Sequence, residues 1–245
     1  MRASSCAFRL AEEKGEGMKV LIACEESQTV CKAFRAKGHE AYSCDIIEPS
    51  GGHPEWHIKG DVTGIINGYC KFNTLDGKEH ILRAEWDLII AHPPCTYLST
   101  AATQCHSVKC YTKEQIAERT LKRIEAMNFF MMFVNAHCKR IAIENPTGVM
   151  NTCFRKPDQT IHPYYFAESV EDSENYATKK TGLWLKNLPE LKYNCSLPNP
   201  MDNAPRWANG KKKNWTENSH GQKVRSKTFP AIAQAMADQW GDVNA

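Results

Sequence analysis

Four short apolar runs, each ending on a polar or acidic group, with helical stretches after the first and the third and a turn-rich stretch after the second, constrain this chain more than any other feature. Lys19 to Cys24 (KVLIAC) is followed by Glu25-Glu26, and Ala41 to Asp45 (AYSCD) ends on its own acid. Trp86 to Ala91 (WDLIIA) is stopped by Pro93-Pro94, and Arg140 to Ile143 (RIAI) runs into Glu144-Asn145-Pro146. Runs this short and this apolar predict strands buried on both faces, as in a parallel sheet. Between them, Gln28 to Ala36 reads as a helix ended by Gly38. Thr112 and Gln115 form a capping-box pattern that opens a longer helix. On that helix Ala117, Leu121, Ile124, Met127, Met131 and Val134 share one face. Thr181 to Leu185 predicts a later strand, and Pro230 starts a last helix with Ile232, Met236 and Trp240 on one stripe. The alternation implies an α/β fold with a mostly parallel sheet and helices on both faces. Ligands of such sheets sit beyond the carboxyl ends of the strands, where the candidate chemical groups gather.

The chain's 245 residues suit one sizeable domain. The globular pattern begins at Met18, so residues 1–17 read as a disordered leader. No stretch approaches the roughly 18 apolar residues of a membrane span, and Met1 to Gly17 lacks an apolar signal core. Eleven cysteines are scattered without a CxxC pair, which points to a reduced, cytoplasmic setting with mostly buried thiols. Cys105, His106 and Cys110 match no standard zinc spacing, so no metal is expected. The net charge of +3 says little about partners, but its distribution says more. From Arg206 to Lys227 the cations Arg206, Lys211, Lys212, Lys213, Lys223, Arg225 and Lys227 face one acid, Glu217. Trp207 and Trp215 interleave with them, a pattern suited to phosphates and stacked bases. A solvated, lysine-rich loop would look similar.

Two turns carry the chemistry. In Ala91-His92-Pro93-Pro94-Cys95 the prolines stiffen the backbone and aim a cysteine just past a strand. In Ile143-Glu144-Asn145-Pro146 a carboxylate stands at a strand's end. Taken singly, each has a plainer reading, a buried structural thiol or a surface acid. Together they suit one reaction. A thiolate adding to carbon 6 of a pyrimidine makes carbon 5 nucleophilic, and an acid at ring N3 eases the addition.

In these two motifs and their order the chain resembles the DNA cytosine-5 methyltransferase family, in particular its short phage- and prophage-type members. The resemblance implies a Rossmann-like S-adenosylmethionine-dependent methyltransferase fold over residues 18–245. It assigns Cys95 as nucleophile, Glu144 as the N3 partner and Asn145 as the brace of the loop. It implies S-adenosylmethionine as cofactor, held along Ala23, Cys24, Glu25, Ser27, Asp45 and Asp61 and beside Pro93 and Pro94. Asp45 would meet the ribose hydroxyls and Asp61 the adenine amine. DNA is the implied partner. Where the family has a glycine-rich first loop, this chain has Ala23-Cys24-Glu25-Glu26-Ser27-Gln28, without glycine. Ser27 and the helix start are then expected to supply donors to the cofactor's carboxylate, and Glu25 to take its ammonium. The family's Gln-x-Arg-x-Arg segment has its nearest counterpart in Lys179 and Lys180. Its large recognition domain is reduced here to about residues 192–227.

The same chemistry on a free pyrimidine nucleotide or on single-stranded nucleic acid is one alternative. A catalytically inactive homologue that binds DNA or protein is another. Amino-methylation is disfavoured, because its loops place a polar residue before the prolines and an aromatic after them, where this chain has His92 and Cys95.

Overall fold

The computed structural model describes residues 17–100, 111–194, 196–202, 204, 206, 208, 210, 212 and 227–242. In chain order the elements are β1 (Lys19–Ala23), α1 (Thr29–Ala36), β2 (Glu40–Asp45) and β3 (His57–Lys59). A hairpin of β4 (Cys70–Asn73) and β5 (Glu79–Leu82) precedes β6 (Leu88–Ala91) and α2 (Lys113–Val134). Then come β7 (Ile141–Pro146), a single turn α3 (Met150–Cys153), β8 (Gln159–Ile161), β9 (Thr181–Lys186) and α4 (Pro230–Trp240).

The seven-stranded sheet has the order β3-β2-β1-β6-β7-β9-β8. Its first five strands are parallel. β9 runs antiparallel to both β7 and β8. The fold is therefore α/β with a mostly parallel sheet, compatible with a Rossmann-like architecture. The chain leaves β1 toward β2 and β3, then returns to the other side of β1 to form β6. That reversal opens a crevice outside the ends of β1 and β6, the place where doubly wound sheets bind ligands.

Alternate residues of each central strand serve two cores. Leu21, Ala23, Ile89, Ala91, Ile141 and Ile143 face Phe130 and Phe133 of α2 and Trp86. Val20, Ile22, Leu88, Ile90 and Ala142 face Val30 and Phe34 of α1 and Ile232, Met236 and Trp240 of α4. Each fully buried aliphatic or Phe side chain contributes about 1.5–3 kcal/mol, which is why apolar residues occupy both faces of the strands. Among the described residues no helix is long and apolar enough to cross a membrane.

The helix caps and the stripe on α4 agree with the expectation from sequence, and Thr112 and Gln115 form the full capping box. The stripe on α2 agrees only in its second half, where Met127, Met131 and Val134 pack against the core. Leu121 is 63% and Ile124 49% exposed, while Phe130 and Phe133 are buried. Only the last turns of α2 lie across the sheet, so apolar spacing in its first half has no core to face. β7 also continues through Glu144, Asn145 and Pro146, which pair with Leu183, Gly182 and Thr181 of β9. Its pairing with β6 ends at Ile143, so past that point only one edge is hydrogen-bonded and a proline is tolerated.

Candidate active site

Strand register places the reactive groups. Ala23 of β1 lies beside Cys44 of β2 and Ala91 of β6, and Ala91 lies beside Ile143 of β7. One residue onward along each strand gives the row Asp45, Cys24, His92, Glu144 across four neighbouring parallel strands. His92 and Glu144 of this row meet Thr228 in the segment that enters α4, whereas Cys24 packs against the core on the α2 side.

The turn after β6 carries Cys95. Pro93 is buried, whereas Pro94 and Cys95 are exposed at the mouth of the crevice. Cys31, Cys44 and Cys138, by contrast, are buried. Burial pushes the Cys44 thiol up to about 12, so such a group stays protonated and inert. The Cys95 carbonyl accepts from Leu98 and Ser99 amides at 3.1 and 3.0 Å, closing a tight turn. Asn145, 2% exposed, donates its side-chain amide to the Pro93 carbonyl at 2.7 Å and ties this turn to β7. A second tie lies further on. The Val149 amide donates to the Leu98 carbonyl at 2.8 Å and the Thr100 amide to the Thr147 carbonyl at 3.0 Å. Gly148 permits this approach, because a Cβ there would lie 1.8 Å from the Leu98 carbonyl oxygen.

Behind the turn is a buried ionic cluster. His92 Nδ1 donates to Glu144 Oε2 at 2.7 Å, with the two side chains 9% and 11% exposed. The Thr228 hydroxyl donates to the same oxygen at 3.2 Å, and Lys179 Nζ stands 4.0 Å from Oε1. Lys179 is fixed in turn by donating to the Lys227 carbonyl at 3.3 Å and by lying over the Phe229 ring. Burial opposes ionisation of Glu144, but Lys179, His92 and Thr228 outweigh it and hold the carboxyl down at about 2. For His92, burial is likewise outweighed by the Glu144 hydrogen bond and by the charges of Glu144 and Glu25, so its pKa is raised. Glu144, expected as the acid at N3, is thus a firmly held anion.

These shifts give a pH signature. A depressed carboxyl contributes stability above its ordinary value of 4.5 that is lost as the pH falls toward 2. A raised imidazole contributes stability below 6.5 that is lost as the pH rises through its folded value. The difference in unfolding free energy between the native chain and a His92→Gln, Glu144→Gln double variant should therefore peak between pH 4.5 and 6.5. The Glu144 part of it is on the order of 3 kcal/mol. Urea titrations across pH measure this, and a difference independent of pH would contradict it.

The glycine-free first loop solves its geometry by another route. Cys24 and Gln28 adopt the left-handed region at φ 59° and 57°, which glycine occupies more easily. Gln28 is held there by a pair of bonds to the His53 backbone, accepting at 3.0 Å and donating at 2.8 Å. Glu25 is buried and its carboxylate accepts the Val30 and Cys31 amides at 2.6 and 3.1 Å. It therefore fills the donor site at the start of α1 that the sequence reading left for a ligand's carboxylate. Ser27 accepts from the Thr29 hydroxyl at 3.1 Å, within the loop. Glu26, only 8% exposed, has neither carboxylate oxygen hydrogen-bonded.

Asp45 is half-buried beside this loop. Burial raises its pKa, opposed by the Ile46 and Ile47 amides, and the Glu26 charge adds to the rise. Ile46 and Ile47 after it are 73% and 48% exposed, an apolar surface at the crevice. Asp61 is exposed and caps a 3-10 turn through the Thr63 amide at 2.8 Å. It remains close enough to Cys24 for its charge to act on that thiol, after burial and Asp45.

Of the residues expected to meet nucleic acid, Lys179 reaches the site and Lys180 is an exposed neighbour outside it. Arg206 and Lys212 make local contacts, Arg206 donating to the Gly210 carbonyl at 2.7 Å and Lys212 to that of Asp202 at 3.0 Å. Trp207, Lys211, Lys213, Trp215 and Arg225 lie outside the described residues, as do Cys105, His106 and Cys110. Among the described residues no group of His, Cys, Asp or Glu is placed to hold a metal ion. The sequence carries Glu26 only as one of the acids after β1, and it gives no notice of Thr228, of Gln28 or of the role of His92. For His92 the signal was its place one residue past a strand, in step with Glu144. Thr228 carried no sequence signal.

Neither a family model nor a curated protein matches the chain. The geometry of this crevice, with the two motifs that build it, is what supports a function.

Proposed function

We propose that this chain transfers a methyl group from S-adenosylmethionine to carbon 5 of a pyrimidine, cytosine in DNA first, by covalent catalysis through Cys95. The observation that carries the proposal is the joining of the Cys95 turn to Glu144 through Asn145 and Pro93, at the open end of a parallel sheet. Nucleophile and base-recognition carboxylate are then held by one rigid unit, as addition to carbon 6 demands.

The crevice residues fit the cofactor in part. Asp45 and the unpartnered Glu26 suit its hydroxyl and cationic groups, and Ile46 and Ile47 suit a flat apolar ring. The α1 amides, taken by Glu25, are not available to its carboxylate. Bound there, the cofactor would supply an electrophilic methyl group. Cys95 would add to carbon 6, Glu144 would hold the Watson–Crick edge of the base, and Lys179 would keep Glu144 in place. The basic stretch from Arg206 to Lys227 favours a polymeric substrate over a free nucleotide.

The test is mass spectrometry of nucleosides from duplex DNA, single-stranded DNA and cytidine nucleotides after incubation with the protein and S-adenosylmethionine. 5-Methylcytosine should appear, and its distribution among the three identifies the substrate. Its absence from all three overturns the proposal. In calorimetry, Asp45→Ala should weaken cofactor binding by about 1–3 kcal/mol, the scale of a hydrogen bond to a charged group. No cofactor binding by the native chain would point to a binding module instead.

A further inference from the structure

Carbon-5 chemistry on cytosine meets an obstacle in this site. Ring N3 of cytosine is an acceptor, and Glu144 is an acceptor too while it is ionised. Two acceptors facing each other repel, and the negative charge that develops on the ring during thiolate addition worsens this. A proton has to arrive at N3 from somewhere.

The described groups around Glu144 narrow the source. Lys179 stands 4.0 Å from Oε1, beyond hydrogen-bond reach, and donates to the Lys227 carbonyl instead. The Thr228 hydroxyl is too weak an acid to give up its proton. Glu25 engages both its oxygens with the α1 amides. His92 is hydrogen-bonded directly to the carboxylate at 2.7 Å, and that carboxylate favours its charged, proton-carrying form. Its other nitrogen, Nε2, is buried with no hydrogen-bond partner. Among the described residues Nδ1, which Thr228 also approaches at 3.5 Å, is thus the hydrogen-bonded route by which the imidazolium can lose a proton, and that route ends on Glu144.

We propose that His92 stores the proton that Glu144 delivers to N3 of the base, so that the buried pair works as one acid. This rests on the carbon-5 reading above. The Cys95 thiolate forms a bond to carbon 6, and the ring electrons shift toward N3. The His92 Nδ1 proton passes to the Glu144 carboxylate, and the carboxyl's hydrogen moves on to N3. His92 is left neutral, Glu144 is again an anion, and the base adduct is neutral. After carbon 5 has taken the methyl group and given its own proton to solvent water, the thiolate departs and N3 returns its proton along the same path. His92 touches no substrate atom; it acts through Glu144. Lys179, on the approach to β9, and Thr228, before α4, favour the ionised carboxylate. Glu25, after β1, favours the charged imidazole.

The experiment uses the full chain, S-adenosylmethionine and DNA containing 5-fluorocytosine, which traps the covalent adduct because fluorine cannot leave as a proton. The native rate of adduct formation should be bell-shaped in pH, rising with the Cys95 thiolate and falling as His92 loses its proton. His92→Gln keeps a donor to Glu144 but has no proton to release. It should form adduct more than about 10²-fold more slowly and lose the descending limb. Cofactor affinity by calorimetry confirms that the variant is folded. A variant with the native rate and the native profile overturns the inference. Should the variant fail to fold, the native chain still decides it. The His92 ring, followed by nitrogen NMR, must titrate where the adduct rate falls, and a midpoint elsewhere overturns the inference. Absence of any adduct from the native chain overturns the carbon-5 reading itself, and this inference with it.

Discussion

Cys95→Ala is expected to abolish methyl transfer, a loss on the order of 10⁴-fold or more, while S-adenosylmethionine affinity stays near the native value. The reason lies in the separation of duties along the crevice. The candidate cofactor groups are Asp45 at the end of β2 and Glu26 and Cys24 in the loop after β1, whereas Cys95 stands exposed beyond β6. Deleting its sulfur removes the attacking atom and creates no internal cavity. Cys95→Ser should be similarly inactive, since a hydroxyl is far less acidic than a thiol. The measurement is the transfer of labelled methyl groups to DNA, paired with calorimetry of the cofactor. An alanine variant that still methylates carbon 5 would falsify the covalent mechanism and would turn attention to chemistry around His92.

Glu144→Ala should be the most destabilising single substitution in the site. The native carboxylate is shared by His92 at 2.7 Å, Thr228 at 3.2 Å and Lys179 at 4.0 Å. Removing it leaves the Lys179 ammonium without its counter-charge and the buried His92 without its partner. Breaking a buried pair by deleting one partner costs about 3–5 kcal/mol, because the remaining charge is uncompensated. Glu144→Gln keeps the volume and one acceptor oxygen, so it should cost less while still slowing adduct formation. Denaturant unfolding measures both. A loss under about 1 kcal/mol in the alanine variant would mean that the cluster relaxes to solvent and that Glu144 is not the anchor described here.

Much of the framework was legible in the chain. β1, β2, β6 and β7 announce themselves because a strand covered on both faces must be apolar throughout, and KVLIA and LIIA admit few other structures. The α4 stripe was legible for the same reason. β3 and β8 are three-residue strands at or near the sheet's edges, too short to show a period. The β4–β5 hairpin was missed although Asp76-Gly77 marks its turn, with Gly77 at φ 85°. The α2 stripe misled because spacing reports which residues share a helix face. It does not report how far along the helix the sheet reaches.

The sequence by itself determined the parallel strands, the positions of Cys95 and Glu144 just beyond or at their ends, and the glycine-free loop between β1 and α1. These are local matters, set by apolar content, proline and the order of residues. Only the tertiary structure decided the partnerships. His92 and Glu144 lie 52 residues apart, and Thr228 lies 84 residues beyond Glu144, yet the three meet on one oxygen. Strand register brings His92 and Glu144 into one row, and packing of α4 against the sheet delivers Thr228. Likewise the sequence offers Glu25 as a partner for the cofactor's ammonium, and only the fold shows its carboxylate closing the start of α1. A carboxylate's role depends on which donors surround it, and those donors come from segments whose proximity is fixed by the sheet.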